Sequence, residues 1–456
     1  MRSPVPDRAA AATLGAALRA LHYDGDTVSD LIGDDVAGSR EEVVVAERRL
    51  SESPVETAIR LLYLELPVPA AGVASGIAEA LLSLGLASRT GDELVPHSRV
   101  VPVDDTLLAS DGFTRDADDP PDYVATYTPT ARTCDLLTPR VRGRRALDVG
   151  TGSGIHALLA ARHVRHVVAT DVNPRALAYT EMNAALNGLD NVECRSGSFF
   201  EPAGDETFDL ITCNAPFVVS PEQRWAYRDS AFHGDDLTAH VVRETAAHLA
   251  DGGYATVLGS WLIVDEDEPE ARPASWVKAT GCDAWILTSI ESDALEHAAS
   301  WNDSFFADAD AYASVLEQWT RYLRELGAHG VAEGAILLNR NGGKPTLRID
   351  EIDEDTLDDA DAQIRRAFKN RRRSKDLLDA KLARAMPLRL ERTLGKKKAE
   401  VVLEEGTCSI LPATPEAVDV VERLDGKKTL RKLGADKRAV KLCRELLELG
   451  ALTIRD

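Results

Sequence analysis

The 456-residue sequence predicts an α/β fold in which a mainly parallel sheet carries helices on both faces. Short apolar runs, several of them rich in Val and Ile, recur between residues 123 and 343, and helical stretches separate most of them. This alternation is typical of parallel strands joined by crossover helices. A glycine-rich turn after the first run supports the same fold, a seven-stranded Rossmann-like sheet. The seven predicted strands are RRALDVG, HVVATDV, NVECRSG, FDLITCN, YATVLGS, DAWILTS and EGAILLN.

The pattern changes on both sides of this region, and a chain of this length is too long for one ordinary domain. Residues 10–110 read as mainly helical, and they include a helix, a glycine break, a short strand and a turn in that order. The end of the chain reads as two helices and a last short strand, and both orders are typical of winged helices. We therefore predict an N-terminal, mainly helical, winged-helix-like domain (1–115), the α/β core (120–343), a charged helical linker (344–400) and a C-terminal winged-helix-like domain (401–456).

The net charge of −22 gives the protein little non-specific attraction to nucleic acid. The charge is unevenly distributed, because residues 350–361 carry eight acids whereas residues 364–398 carry 14 Lys or Arg and three acids. The interpretation without a binding function is that such a basic block is a solvated helix face. The functional interpretation is that the basic block forms a surface that contacts RNA or an acidic partner.

Targeting and metal-binding patterns are not evident. No apolar run reaches the ~18–20 residues of a membrane span, and the N-terminus lacks the apolar stretch of a signal peptide. The six cysteines form no CxxC pair, and the ten histidines show no HExxH or paired metal spacing. We therefore expect a cytoplasmic protein without membrane contact, disulfide framework or metal.

The strongest local feature is the run from Ala146 to Gly154, ALDVGTGSG, in which a buried strand leads into a glycine-rich turn and then a helix. The glycines let the backbone bend tightly and approach a ligand closely. A second strand ends at Asp171, 21 residues after Gly150, where a carboxylate can accept hydrogen bonds from both hydroxyls of a ribose. This pattern indicates a nucleotide-like ligand but does not identify it. A dinucleotide site, and a glycine-rich turn that binds no ligand, remain alternatives.

Four segments in order, DVGTGSG, TDVNPRALAYTEMNAALNGL, SGSFFEP and FDLITCNAPF, resemble the small-domain class I S-adenosylmethionine-dependent methyltransferases. That family includes the release-factor glutamine methyltransferases and several ribosomal-RNA base methyltransferases. The resemblance covers about residues 123–262 and implies S-adenosylmethionine as cofactor.

Carried over by position, the resemblance implies that Asp148 and the glycine turn hold the methionyl end of the cofactor and that Asp171 binds its ribose. Asn173 would border the ribose or adenine, and Ser198 and Phe199 would lie beside the adenine. Related enzymes often have Asp where Ser198 stands. The expected cofactor-binding residues are Asp148, Gly150, Thr151, Gly152, Gly154, Asp171, Asn173, Ser198, Phe199 and Asn214.

The predicted strand FDLITC delivers Asn214, Ala215, Pro216 and Phe217 at its carboxyl end, where ligands bind in doubly wound sheets. The Asn214 amide oxygen and the Ala215 carbonyl can accept hydrogen bonds from an NH2 group and hold its nitrogen in line with a methyl donor. Pro216 stiffens the turn and the Phe217 ring offers an apolar face to a base or amide. Related enzymes usually have Pro where Ala215 stands. Tyr127, just before the first strand of the sheet, is a candidate acceptor contact together with Phe217.

These features predict an S-adenosylmethionine-dependent N-methyltransferase that acts on a planar nitrogen. The acceptor is either a glutamine side-chain amide of a protein or an exocyclic amine of an RNA base. The alternatives are a methyltransferase of a small molecule or peptide, and a non-catalytic S-adenosylmethionine-binding protein.

Overall fold

The computed structural model describes residues 3–33, 40–112, 120–222, 232–302, 305–306, 308–371, 377–392, 398–407 and 409–455. The N-terminal part is a helical unit with a small antiparallel sheet, in the order β1-β3-β2, and a β4–β5 hairpin. Its helices are α1 (Arg8–Ala20), α2 (Gly25–Ile32), α3 (Arg40–Glu47), α4 (Pro54–Ala58) and α5 (Ser75–Ser83). Its strands are β1 (Val68–Pro69), β2 (Ala87–Thr90), β3 (Glu93–Pro96), β4 (Ser98–Val103) and β5 (Thr106–Asp111). Its assignment to the winged-helix class stays a prediction.

The middle of the chain forms an eight-stranded sheet with the order β13-β11-β12-β10-β9-β6-β7-β8. All neighbours are parallel except β12, which runs antiparallel to both β10 and β11. The strands are β6 (Gly143–Val149), β7 (Val164–Asp171), β8 (Val192–Ser196), β9 (Phe208–Cys213), β10 (Leu249–Ile263), β11 (Asp283–Asp293), β12 (Gly330–Asn339) and β13 (Leu347–Glu351). The helices are α6 (Pro129–Leu137), α7 (Ile155–Ala161), α8 (Pro174–Leu186), α9 (Asp236–His248), α10 (Ala271–Lys278), α11 (Ala294–Ser300) and α12 (Ala309–Glu325).

All seven predicted runs form strands of this sheet, so the predicted Rossmann-like α/β class is confirmed. The eighth strand, β13, lies inside the region predicted to be a charged helical linker. It is an edge strand that pairs with β11 only, and its Leu347 and Ile349 side chains are exposed. An edge strand can leave one of its faces exposed to water, so it does not need apolar residues on both faces. The sequence of β13, LRIDE, therefore shows only a weak strand pattern.

The rest of the predicted linker also differs from the expectation, since it contributes strands to the C-terminal unit. This unit contains α13 (Ala360–Asn370), β14 (Lys381–Arg384), β15 (Leu388–Arg392), β16 (Ala399–Leu403), β17 (Ile410–Ala413), α14 (Pro415–Glu422), β18 (Asp425–Thr429), α15 (Lys437–Glu448) and β19 (Leu452–Arg455). The strands form two small antiparallel sheets, β18-β14-β19 and β15-β16-β17. The strands of this unit are only four or five residues long and several carry charged residues, so the composition of the region suggested a solvated helix.

Both flanking units share an apolar core with the central sheet. On one side, Trp285 and Leu337 of the sheet belong to the same buried cluster as Phe368 and Leu446 of the C-terminal unit. On the other side, helix α8 contributes residues to the core of the N-terminal unit, among them Tyr179 and Leu186. The three parts therefore pack as one body around the sheet.

Helix α8 also satisfies the backbone of the N-terminal hairpin. The Asn183 side chain accepts a hydrogen bond from the Ala109 N–H at 2.9 Å and donates one to the Ala109 carbonyl at 2.8 Å. The Asn187 side chain likewise accepts a hydrogen bond from the Leu107 N–H at 2.9 Å and donates one to the Leu107 carbonyl at 2.7 Å. Two side-chain amides thus replace a neighbouring strand along β5, whose backbone groups would otherwise be buried without partners.

Helix α1 of the N-terminal unit approaches α8 closely at a glycine. A Cβ on Gly15 in α1 would overlap the carbonyl oxygen of Leu186. We expect Gly15→Ala to lower the free energy of unfolding by about 1–3 kcal/mol, because the two helices must separate to admit the methyl group. Thermal and urea unfolding of the full chain measure this effect.

Gly76→Ala in α5 is the matched control, because no atom lies within 4 Å of the position of its added Cβ. A glycine-to-alanine change in an uncrowded helix is expected to be neutral or to stabilise by up to about 1 kcal/mol. Equal destabilisation by both substitutions would contradict the close α1–α8 contact.

Candidate active site

Two neighbouring parallel strands in the middle of the sheet, β6 and β9, end at the same edge. Val149 lies opposite Cys213, so the glycine turn and Asn214 both begin one residue beyond this pair. A Cβ built on Gly150 would lie 3.4 Å from the Cβ of Ala215. The structure therefore brings together the two segments that the sequence singled out separately.

The glycine turn needs its glycines for different reasons. Gly150, Gly152 and Gly154 have φ angles of +68°, +57° and +93°, a region that other residues rarely adopt. A Cβ on Gly154 would press against Thr180 of α8 at 2.8 Å, whereas no atom lies within 4 Å of the Cβ position of Gly152. Gly154 thus packs the turn against a helix, and Gly152 leaves open space at its outer side where a ligand can approach.

Asp148 lies under the turn and is almost completely buried. One of its oxygens accepts hydrogen bonds from the Thr151 hydroxyl at 2.7 Å and the Ala157 N–H at 3.1 Å. The other accepts from the Thr212 hydroxyl on β9 at 2.8 Å. These bonds give Asp148 and Thr151 a role in shaping the turn, and their direct contact with a cofactor stays a prediction.

Asp171 at the end of β7 faces the same turn. Its carboxylate accepts hydrogen bonds from the Gly152 N–H at 3.0 Å and the Asn173 N–H at 2.8 Å. Burial raises the pKa of Asp171 above its ordinary value, and these two hydrogen bonds oppose that shift. The Asn173 side chain is already engaged, because it caps α8 by accepting from the Arg175 N–H and donates to the Asp122 carbonyl.

Ser198 and Phe199 follow β8 at the same edge of the sheet. Phe199 has a φ angle of +45°, and its carbonyl accepts a hydrogen bond from the Thr170 hydroxyl at 3.0 Å. Its ring makes edge contacts with Phe232 and His240, with 6.0 Å between ring centroids in each case. The Ser198 N–H donates to the Glu201 carboxylate at 3.3 Å. The aromatic group continues the edge of the site beyond Asp171.

Sequence reasoning missed Val172, which stands between Asp171 and Asn173. Its side chain is 60% exposed, although it directly follows a buried strand. An exposed valine beside a polar ligand site can offer an apolar face to a flat ring. Its position immediately after the acidic strand end was the available signal.

Asn214 to Phe217 form the other half of the site. The Asn214 side chain is half-buried, and within the described residues it makes no hydrogen bond, so its amide is available to a ligand. Ala215 is buried against the glycine turn, and Phe217 packs against the cluster that joins the sheet to the C-terminal unit. The chain then passes into Val219, whose carbonyl accepts a hydrogen bond from Nε2 of His297 in α11 at 3.0 Å.

Tyr127 lies before α6, half-buried against an apolar cluster that includes Ala131, Ile155 and Leu158. Burial raises the pKa of its hydroxyl above the ordinary range. The ring therefore has a packing role, and acceptor contact stays a prediction for Tyr127.

Several arginines of the basic block are bound by other groups of the protein. The guanidinium groups of Arg366 and Arg371 donate to the carbonyls of Gly450 and Ala284. Arg371 also lies over the rings of Phe368 and Trp285, and burial lowers its pKa to about 10. Arg389 pairs with Glu391 and Glu404, and Arg392 pairs with Asp419 and Glu422. Residues 372–376 and 393–397 of the block lie outside the described residues.

Within the described part of the chain, no group of three or more His, Cys, Asp or Glu side chains could hold a metal ion. No helix in the same ranges is both long enough and apolar enough to cross a membrane.

Two family models match the chain, a methyltransferase domain over residues 141–276 and a domain of unknown function (DUF7059) over residues 20–97. The ribosomal protein uL3 glutamine methyltransferase of Bradyrhizobium diazoefficiens is 33% identical over 164 residues, which is 33% of this chain and 51% of that protein. The release factor glutamine methyltransferase of Xylella fastidiosa is 33% identical over 155 residues, covering 30% of this chain and 56% of that protein.

The chain thus spans about half the length of these curated relatives. Among solved structures, the YcgJ protein of Bacillus subtilis aligns with 48% of this chain at 16% identity and a TM-score of 0.31, a likeness too distant to carry weight. The matched region contains the glycine turn, Asp171 and the Asn214 loop described above. Residues 141–276 are therefore similar in sequence to a methyltransferase domain and to these glutamine methyltransferases.

Proposed function

We propose that this protein is an S-adenosylmethionine-dependent N-methyltransferase whose acceptor is the side-chain amide of a glutamine in a protein. The observation that carries the proposal is the close approach of Gly150 and Ala215, whose Cβ positions would lie 3.4 Å apart. A cofactor held at the glycine turn would then have its methyl group beside Asn214. An acceptor nitrogen held by Asn214 would meet it without any rearrangement of the sheet.

The residues at the turn fit S-adenosylmethionine. Open space outside Gly152 would admit the methionyl end, Asp171 would accept hydrogen bonds from the ribose, and exposed Val172 would lie against the adenine. Phe199 and Ser198 would border the adenine on the β8 side. The cofactor supplies a methyl group that is already activated by a positively charged sulfur. The protein therefore has mainly to position the acceptor.

Asn214 and Ala215 would position that acceptor. An amide nitrogen is a poor nucleophile, because its lone pair is delocalised into the carbonyl. The Asn214 amide oxygen and the Ala215 carbonyl would accept hydrogen bonds from the two N–H groups and favour a more pyramidal, more nucleophilic nitrogen. Phe217 would pack against the flat face of the amide.

Two observations favour a protein acceptor over an RNA base. The relatives reported above are named as glutamine methyltransferases of ribosomal protein uL3 and of release factors. Several cations of the basic block, including Arg366, Arg371 and Arg392, are held by carbonyls or carboxylates of the protein itself. The net charge of −22 adds to this preference. A translation protein as acceptor also agrees with the cytoplasm, which we keep as the proposed compartment.

Labelled-methyl transfer tests the proposal directly. The full chain is incubated with labelled S-adenosylmethionine and with purified bacterial release factor, ribosomal protein uL3 or total RNA in parallel. We expect label in a protein fraction and, after enzymatic digestion to amino acids, in glutamine methylated on its side-chain nitrogen. Label in RNA alone would show that the acceptor is RNA and would contradict the proposed protein acceptor. Cofactor binding without methyl transfer to any fraction would favour a non-catalytic binding protein.

Asn214→Ala removes the oxygen that would accept a hydrogen bond from the acceptor. We expect turnover to fall by about 100-fold or more, because the nitrogen is no longer held in line with the methyl group. The affinity for S-adenosylhomocysteine, measured by calorimetry, should stay unchanged. Asn214→Asp keeps an acceptor oxygen and should retain more activity than Asn214→Ala. Full turnover by the alanine variant would contradict the assignment of Asn214.

Asp171→Ala is expected to have the reverse effect. It removes a carboxylate that would bind the ribose, and the lost hydrogen bonds should weaken cofactor binding by about 1–3 kcal/mol, or roughly 5- to 150-fold. Calorimetric titration with S-adenosylhomocysteine measures the affinity. At saturating cofactor, turnover should approach that of the unchanged protein. An unchanged affinity would contradict the ribose assignment.

The raised pKa of Asp171 also predicts a pH dependence. Only the ionised carboxylate can accept hydrogen bonds from both ribose hydroxyls, so cofactor affinity should fall as the pH drops through the raised pKa. The fall should begin above the range of an ordinary aspartate, which titrates near pH 3.9, and it is measured as the Kd at successive pH values. Asp171→Asn should show weaker binding without this loss. An equally steep fall of cofactor affinity with decreasing pH in Asp171→Asn would show that another group titrates.

A further inference from the structure

Strands β10 and β12 continue past the point where β9 ends. Val257 on β10 lies opposite Cys213, the last residue of β9, and β10 then runs on to Ile263 while still paired with β12. The extension stands beside the chain segment that follows Asn214. It therefore forms a wall on the acceptor side of the proposed site.

One face of this wall carries three successive rows of paired side chains. The rows are Leu258 with Ala335, Ser260 with Glu333, and Leu262 with Val331. Residues directly opposite each other in an antiparallel pair point to the same face, and so do alternate residues along a strand. A polar row thus lies between two apolar rows.

The chain after Asn214 crosses this face. Phe217 packs against the cluster to which Leu258 and Ala335 belong. Val219 packs with Leu262 and Val331 in a separate cluster. The row between them therefore lies level with the segment that connects Phe217 to Val219, next to the proposed acceptor loop.

Both members of the polar row have hydrogen-bonding capacity that the protein leaves unused. Ser260 is completely buried, and its hydroxyl has no hydrogen-bond partner among the described residues. A buried polar group without a partner is costly, so such a group beside the proposed acceptor loop points to a ligand.

Glu333 is the second unused group. Its side chain is only 12% exposed, and Oε1 accepts a hydrogen bond from the indole N–H of Trp301 at 2.9 Å. Oε2 has no partner among the described residues, and none of their Lys or Arg side chains pairs with it.

The residues around Glu333 do not neutralise it. Nδ1 of His297 lies 3.7 Å from Oε1, but His297 donates its Nε2–H to the Val219 carbonyl, and burial lowers its pKa to about 4. Burial also raises the pKa of Glu333, and the nearby carboxylate of Glu354 adds to that shift. Burial and Glu354 thus favour the uncharged form of this carboxyl group, and the hydrogen bond from Trp301 opposes them. The uncharged form can donate as well as accept hydrogen bonds.

We propose that Glu333 and Ser260 form the polar floor of the methyl-acceptor pocket and hydrogen-bond an uncharged amide group of the acceptor. This inference rests on the proposed function and deepens it, because it names residues that select the acceptor. Asn214 and Ala215 would take the two N–H groups of the acceptor amide. Its carbonyl oxygen is then left to accept hydrogen bonds from the Ser260 hydroxyl and the uncharged Glu333 carboxyl group. A phosphate or a free carboxylate would be placed against an acidic group that no Lys or Arg of the described residues pairs with.

A titration followed by NMR tests the pocket without requiring turnover. The indole N–H signal of Trp301 is assigned by its loss in Trp301→Phe and is followed in the full chain with S-adenosylhomocysteine present. N-acetylglutamine N′-methylamide is added in one series and N-acetylglutamate N′-methylamide, which has nearly the same shape but a carboxylate in place of the primary amide, in the other. We expect the signal to shift with the glutamine probe only. Equal shifts with both probes, or none with the glutamine probe, would overturn the proposal.

Glu333→Leu should abolish this response. Glu291→Leu is the matched control, because Glu291 lies one strand away on β11 opposite Ala332, whose side chain points to the other face of the sheet. The control should respond like the unchanged protein. A lost response in both variants would assign the effect to general distortion of the sheet and would overturn the pocket.

Methyl transfer to release factor or uL3 gives the second measurement. We expect Glu333→Leu to raise the KM for the acceptor protein about tenfold or more, with cofactor affinity unchanged, and Glu333→Gln to change it by less than about threefold. An unchanged KM in Glu333→Leu would overturn the pocket. If the unchanged protein transfers no methyl group to either acceptor, the proposed function fails instead, and the indole titration alone decides the pocket.

Discussion

One buried carboxylate fixes the geometry on which the candidate site depends. Asp148 stands on β6 and accepts hydrogen bonds from the glycine turn, from the first turn of α7 and from Thr212 on β9. A carboxylate held by three donors in the protein interior cannot move without leaving a charge or its donors unsatisfied. The two strand ends, the turn and the helix start therefore behave as one rigid unit. The small separation of Gly150 and Ala215 follows from that rigidity.

Different parts of the protein support the two sides of this unit. On the side of Asp171, the N-terminal unit packs against α8 and the hairpin hydrogen-bonds to its asparagines. On the side of Asn214, helices α11 and α12 and the C-terminal unit hold the loop through apolar contacts and the bond from His297. The half of the proposed site around Asp171 is the more polar one, which suits a ribose. The half around Asn214 is more apolar and has a few polar groups, which suits an amide.

The sequence allowed the central part of the fold and the two halves of the site to be predicted for clear physical reasons. Strands of a parallel sheet are buried on both faces, so they appear as continuous apolar runs such as FDLITC, and the carboxyl ends of neighbouring strands meet at one edge. Gly150 and Asn214 could thus be expected to meet. Val172 could have been found from its place after Asp171, because an apolar residue just past a strand end is a recognisable signal.

Ser260 and Glu333 could not be found in this way. Their proximity depends on the antiparallel register of β10 and β12, which are separated in the chain by β11 and the three helices α10, α11 and α12. No local pattern encodes that register. Charged edge strands such as β13 were missed for a related reason, since their apolar partners are distant in sequence and their own composition is that of a solvated segment.

The shared core at α8 has a practical consequence for dividing the chain. The side chains of Tyr179, Met182 and Leu186 are covered by residues of the N-terminal unit. A fragment that began at the first strand of the large sheet would expose this apolar stripe to water and leave the amide groups of Asn183 and Asn187 without their backbone partners. The matched methyltransferase domain is therefore not a separable module, and dissection of this protein is better done by point substitution than by truncation.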